Sequence, residues 1–99
     1  MDKEYLLELI NYNYENEWLE FKKNWVAIDE LGEYISALSS SAIEHDKENA
    51  YLIFGVDDKS HEIVGTTFDP DVDVNNEPLK HYLARNLNPS INFSFEELI

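Results

Sequence analysis

Three groups of carboxylates are the first candidates for chemistry in this sequence: Glu15, Glu17 and Glu20; Asp57 and Asp58; and Asp69, Asp71 and Asp73. Clustered carboxylates hold hard divalent cations, which activate water or offset phosphate charge. The third group superficially matches a calcium loop but fails its requirements. The sixth position from Asp69 is Val74, where the loop needs glycine, and the twelfth is Lys80, where a bidentate glutamate belongs. It reads as a solvated loop. Glu15 and Glu20 face a geometric restriction. On one continuous strand they would lie on opposite faces about 16 Å apart, and on a helix they would diverge by about 140°. They converge only if Glu15-Asn16 forms a turn leading into a strand; otherwise they are exposed structural carboxylates.

Other common chemistries find no support. His45 falls in a polar loop, His61 in a turn and His81 on a polar helix face, so no pair has zinc-ligand spacing and no Ser-His-Asp arrangement is legible. Gly32, Gly55 and Gly65 are isolated, which excludes a phosphate-binding glycine loop. With no cysteine there is neither a thiolate nucleophile nor a disulfide, in keeping with a reducing compartment. Cations are few but clustered. Lys22-Lys23 follow the first strand, and Lys80, His81, Ala84 and Arg85 share one helix face. Such short groups either solubilise the surface or contact phosphates.

These side chains must be positioned by a small number of elements. Leu6, Leu7, Leu9 and Ile10 among Lys3, Glu4 and Glu8 predict a first helix, with Asp2 as N-cap. Residues 18–22 predict a strand with Leu19 and Phe21 on one face and Trp18, Glu20 and Lys22 on the other. The spacing Leu31, Ile35, Leu38, Ala42 predicts a helix of about four turns capped by Asp29. Residues 44–49 read as a loop, and the apolar run 51–56 as a central strand buried on both faces. Asp57-Asp58-Lys59-Ser60-His61 is turn chemistry, and residues 62–68 predict the returning strand of a hairpin. After the acidic loop, Pro78 suits a first helical turn, and Leu79, Tyr82, Leu83 and Leu87 form a buried stripe that Asn88-Pro89 ends. Ile91, Phe93 and Phe95 alternate with polar residues as in a half-buried strand. The expected fold is a single α/β (α+β) domain with a mixed sheet and about three helices, in the order α-β-α-β-β-α-β. Because the last strand pattern runs to Ile99, the domain is expected to be truncated at its C-terminal end.

Composition bounds the partners. The chain has 99 residues, 21 Asp+Glu, 7 Lys+Arg and a net charge of −14. That field opposes nucleic acid and anionic membrane surfaces, while 43% hydrophobic and 13% aromatic residues exclude an acidic disordered tail. A chain this size buries roughly 65% of its unfolded surface, a thin margin that self-repulsion reduces. The longest apolar runs fall far short of the roughly 18 residues needed to span a bilayer, and the N-terminus is no signal peptide. A cytoplasmic protein is expected. The charge is regional, however. The first 75 residues hold 18 acids and five lysines, whereas residues 76–95 set Lys80 and Arg85 against Glu77 alone.

Three ordered pieces of this chain resemble one family. Glu15-Asn16-Glu17-Trp18-Leu19-Glu20-Phe21-Lys22, Tyr34-Ile35-Ser36-Ala37-Leu38, and the segment from Tyr51-Leu52-Ile53-Phe54-Gly55-Val56-Asp57-Asp58 through Ile63-Val64-Gly65 look like the Schlafen-type AlbA-like domain. The resemblance covers roughly residues 15–98, so residues 1–14 are taken as an N-terminal helix and 15–99 as the domain. It implies an α/β domain, commonly labelled DNA-binding, at the front of bacterial proteins called transcriptional regulators or ATP-binding proteins, with further domains downstream. In members with ribonuclease activity the two glutamates of E-x-x-x-x-E and an aspartate of the G-V-D-D turn form a metal-dependent acidic site. Carried over, these are Glu15, Glu20 and Asp58, with Asp57 the less favoured of its pair and Mg or Mn as the implied ion. This chain departs from the family where many members have a glycine pair before the central strand, since it has Glu44-His45-Asp46-Lys47-Glu48-Asn49. It also lacks the basic flanks of the ribonuclease members.

Three functions follow as expectations. The first is a nucleic-acid-binding domain of a transcriptional-regulator-like protein, with Lys22, Lys23, Lys80 and Arg85 on phosphates. The second is a divalent-metal endoribonuclease centred on Glu15, Glu20 and Asp58. The third is an acidic protein-interaction domain facing a basic partner. No membrane partner is expected, and homo-oligomerisation is left open.

Overall fold

The computed structural model describes residues 3–12, 18–24, 27–87 and 93–97. Within them the chain forms helix α1 (Lys3–Tyr12), strand β1 (Leu19–Lys22), helix α2 (Ile28–Glu44), strand β2 (Tyr51–Phe54), the short strands β3 (Asp73–Val74) and β4 (Glu77–Pro78), and helix α3 (Leu79–Asn86). This is the expected mixed α/β domain with three helices. β1 and β2 pair in parallel, Leu19 opposite Tyr51 through Lys22 opposite Phe54. Parallel neighbours need a long crossover, which the 17 residues of α2 supply.

Period-two alternation in the strands divides the core. Leu19 and Phe21 of β1, with Tyr51 and Ile53 of β2, pack with Leu9 and Ile10 of α1 and with Val56. Leu52 and Phe54 face the other way, onto Leu31 of α2 and Leu79 and Leu83 of α3. β2 is therefore covered on both sides as expected, but its residues are half-buried rather than buried. On the second face β1 presents Glu20 and Lys22, so that face grades from apolar to charged across the sheet.

Local chemistry revises several element ends. α2 starts one residue ahead of Asp29, with Ala27 as N-cap and no side-chain cap; Asp29 lies in the first turn, where its charge suits the helix dipole. At its other end Asp46 takes φ +55°, and the Lys47 amide donates to the Ala42 carbonyl at 2.8 Å, closing the helix earlier than the loop residues that follow. Pro78 precedes α3 as its N-cap instead of entering its first turn.

The largest revisions lie in the second half. Residues 62–68 contribute one antiparallel bridge, Val56 to Ile63, in place of a full returning strand. Gly55 at φ +92° and Gly65 at φ +80° interrupt extended backbone at both ends of that hairpin. The segment expected as an acidic loop contains the β3–β4 hairpin, whose turn residues Asn75 and Asn76 have φ 53° and 65°. Positive φ at both centres is the two-residue hairpin turn that matches strand twist. Residues 93–97 keep alternating burial without strand pairing. Phe93 and Phe95 instead join an aromatic series in which Phe95 meets Phe68, and Phe68 stacks on Phe54 at 4.2 Å. The ends of the expected final strand, 91–92 and 98–99, lie outside the described residues, as does Asp2.

Candidate functional site

Because β1 and β2 run in the same direction, their carboxyl ends lie side by side. Chain direction alone thus delivers Lys22 and Lys23 from the end of β1, and Asp57 and Asp58 from beyond β2, to one end of the sheet, while Glu20 lies two residues back in β1 opposite Leu52. The Gly55 amide donates to the Lys22 carbonyl at 2.7 Å and continues the strand pairing one step past Phe54. In open α/β sheets this carboxyl end is where ligands are usually received.

Asp57 organises the turn. Its Oδ1 accepts the amides of Lys59 at 2.8 Å and Ser60 at 2.9 Å. Its Oδ2 lies 3.1 Å from Lys23 Nζ, which ties the turn to the end of β1. The Ser60 and Lys59 amides, then Lys23, hold its carboxyl well below the usual carboxylate range. Asp58, next in the chain, is exposed and makes no ion pair among the described residues. The two neighbours have divided roles: Asp57 is consumed by the turn, and Asp58 is presented to solvent.

Glu20 is half-buried and 3.3 Å from Lys22 Nζ. The Lys22 ammonium lies 4.8 Å from the centre of the Tyr34 ring of α2. Its pKa is raised, chiefly by its hydrogen bond to Tyr34, with burial opposing and Glu20 adding to the rise. Glu15 lies outside the described residues, so its approach to Glu20 is not part of this geometry. Among the described residues no three His, Asp or Glu side chains are grouped closely enough to hold a metal ion. Glu20 and Asp58 are the two members of the expected trio that the structure describes.

Two further features fasten this end of the sheet. Asn24 Oδ1 accepts the Thr67 amide at 3.1 Å and the hydroxyls of Thr66 and Thr67 at 3.1 and 2.7 Å. The Gly55 carbonyl accepts the Val64 and Gly65 amides at 2.7 and 3.1 Å. A Cβ on Gly55 would lie 3.3 Å from the Gly65 carbonyl carbon, so the two backbones touch where a side chain would intervene. Neither feature was anticipated. The signal for the second was the pair of glycines bracketing the acidic turn, whereas no local pattern marks Asn24.

The second group of cations is on α3. Arg85 makes a two-pronged bond to Glu77, Nε to Oε2 at 3.2 Å and Nη2 to Oε1 at 2.8 Å. The hydrogen bond lowers the Glu77 pKa and raises that of Arg85. Lys80 is exposed and makes no ion pair among the described residues. Lys80, His81, Ala84 and Arg85 are all exposed, as their shared helix face required. Of the four cations expected on phosphates, Lys22, Lys23 and Arg85 are therefore held by carboxylates of the chain itself. His45 and His61 serve packing, beside the rings of Trp18 and Phe21 at 5.2 and 4.8 Å.

A parallel strand pair joined by a crossover helix, with a glycine-bounded acidic turn beside two lysines at its carboxyl end, defines an α/β domain. The Schlafen, AlbA_2 family model matches residues 15–99, and the chain belongs to that family. This membership ties the domain to nucleic acid at the level of the family. No curated protein and no solved structure matches the chain. Among the described residues no helix is long and apolar enough to cross a membrane.

Proposed function

We propose that this domain binds nucleic acid within a transcriptional-regulator-like protein, with Lys22 and Lys23 at the sheet end and Lys80 and Arg85 on α3 as its phosphate contacts. Family membership over residues 15–99 carries the reading. The placement of Lys22 and Lys23 next to each other at the carboxyl end of β1 supports it. With few cations and most of them paired to acids, binding is weak and steeply salt-dependent. Filter binding of short DNA and RNA duplexes and single strands at low salt tests this. Retention that falls with added salt and drops in Lys80→Ala/Arg85→Ala is expected; no retention of any of these probes by the unsubstituted protein overturns it.

A second reading is favoured by the division of roles between Asp57 and Asp58. With Asp57 consumed by the turn, Asp58 remains as a solvent-facing carboxylate beyond β2; together with the half-buried Glu20 of β1, which lies beside Lys22, and with Glu15 it would make up a set for Mg or Mn. Such an ion would offset phosphate charge during RNA cleavage. Incubation of structured RNA with the protein and either metal tests the idea. Cleavage that disappears in both Glu20→Ala and Asp58→Asn supports it, and intact RNA with the unsubstituted protein rejects it.

A further inference from the structure

The ion pair between Glu77 and Arg85 joins two side chains that are not equally fixed. Glu77 is half-buried on β4, where it pairs with Val74 across the Asn75-Asn76 turn. Just beyond it, the Leu79 amide donates to the Val72 carbonyl at 2.9 Å and fastens the hairpin to the start of α3. Arg85 is carried near the other end of α3, and its side chain is 62% exposed against 29% for Glu77. A long exposed side chain has many rotamers to choose among. The carboxylate is therefore the stationary member, and the guanidinium is the one it orders.

The manner of the bond determines what remains of Arg85. A guanidinium carries five N–H donors in a planar fork. Glu77 engages one side of it, Nε through Oε2 and Nη2 through Oε1. Nη1 and the remaining hydrogen of Nη2 make up the end edge, a second pair of parallel donors. Among the described residues that edge meets no acceptor: apart from Glu77, Arg85 meets only the Tyr82 ring, whose centre lies 5.7 Å from Cζ. Two parallel donors match two oxygens of one phosphate, whereas the exposed Lys80 offers a point charge on a flexible stem. Two-pronged arginine–carboxylate pairs are also the exposed ion pairs whose geometry counts most.

We propose that Glu77 is a positioning residue for phosphate recognition on α3. By gripping Nε and Nη2 it presents the Nη1–Nη2 edge of Arg85 outward as a preformed fork for one phosphate group. This rests on the nucleic-acid reading above, in which the group is a backbone phosphate, and adds to it an acid that assists the binding of an anion. Ordering the guanidinium before contact removes part of the entropy that binding otherwise costs. The charge of the carboxylate acts the other way, but the guanidinium stands between the two anions and is closer to each than they are to one another.

Filter retention of a short DNA duplex, with its salt dependence, is compared for the unsubstituted protein, Glu77→Gln, Arg85→Lys and Asp73→Asn. Asp73 is an exposed acid of the same hairpin with no ion pair among the described residues, so its substitution removes one charge and leaves the Arg85 bond intact. Glu77→Gln and Arg85→Lys should each weaken retention about threefold and lower the salt slope by about one. Asp73→Asn should not weaken it, and Glu77→Gln should add nothing in the Arg85→Lys background. NMR of the Arg85 side-chain nitrogens, with pyrophosphate as the probe, gives a readout independent of nucleic acid. The Nη1 signal should be resolved and should shift with pyrophosphate, and both features should vanish in Glu77→Gln. Stronger retention by Glu77→Gln than by Asp73→Asn overturns the proposal, because Glu77 then withholds Arg85 from phosphate. An Nη1 signal that pyrophosphate leaves unmoved overturns it too. No retention of nucleic acid, with an Nη1 shift that requires Glu77, removes the nucleic-acid reading and leaves the fork. Salt-dependent retention that is indifferent to Glu77→Gln removes the fork and leaves the reading.

Discussion

At the residue scale, Asp57 shows how a side chain flagged for chemistry becomes structural. Two amides and Lys23 favour its charged form, so its folded-state pKa lies below the ordinary value of 3.8. A depressed carboxylate contributes stability that is present above that ordinary value and is withdrawn as pH falls below it. Acid titration followed by circular dichroism should show stability falling below about pH 4, with a shallower fall in Asp57→Asn. Gly55 is the other decisive residue. Its φ of +92° and its approach to Gly65 both exclude a side chain, so Gly55→Ala should cost about 1 kcal/mol or more, measured by urea denaturation.

At the element scale, α2 crosses from β1 to β2. Its buried residues Leu31, Leu38 and Ala42 follow the stripe read from spacing alone, because a 3.6-residue period places them on one face in any context. Gly32 has room for a Cβ, so Gly32→Ala should stabilise the fold by about 0.5–1 kcal/mol, raising the midpoint of urea unfolding. The strands were less legible. Residues 62–68 have the composition of a strand, yet the chain spends their polar groups on Gly55 and Asn24, a choice that depends on neighbours far away in sequence. Residues 93–97 keep the alternation but satisfy it through aromatic packing on Phe68. Periodicity reports which residues are buried, and it is silent on which partner receives the backbone hydrogen bonds.

At the scale of the whole molecule, charge dominates. A net −14 over 99 residues means that folding works against self-repulsion. Raising salt from about 0.01 to about 0.15 M shortens the screening length from about 30 to about 8 Å. The melting temperature should therefore rise over that interval, by a few degrees for each kcal/mol regained. Nucleic-acid binding should weaken over the same interval, since each counterion released into more concentrated salt gains less free energy. Opposite salt responses of folding and binding, read by thermal melts and filter retention, are the signature expected of an acidic domain with a small cationic face.

By itself the sequence determined the α/β class, the three helices, the apolar faces of β1 and α2, the turn at Asp57 and the family, because each rests on local periodicity, turn chemistry or ordered motifs. Only the tertiary structure decided that Asp57 is spent on Lys23 and two amides while Asp58 faces solvent. It alone decided that Gly55 meets Gly65 and that Arg85 is held by Glu77. These pairings join residues whose proximity is a consequence of strand direction and helix packing, and no spacing along the chain encodes them.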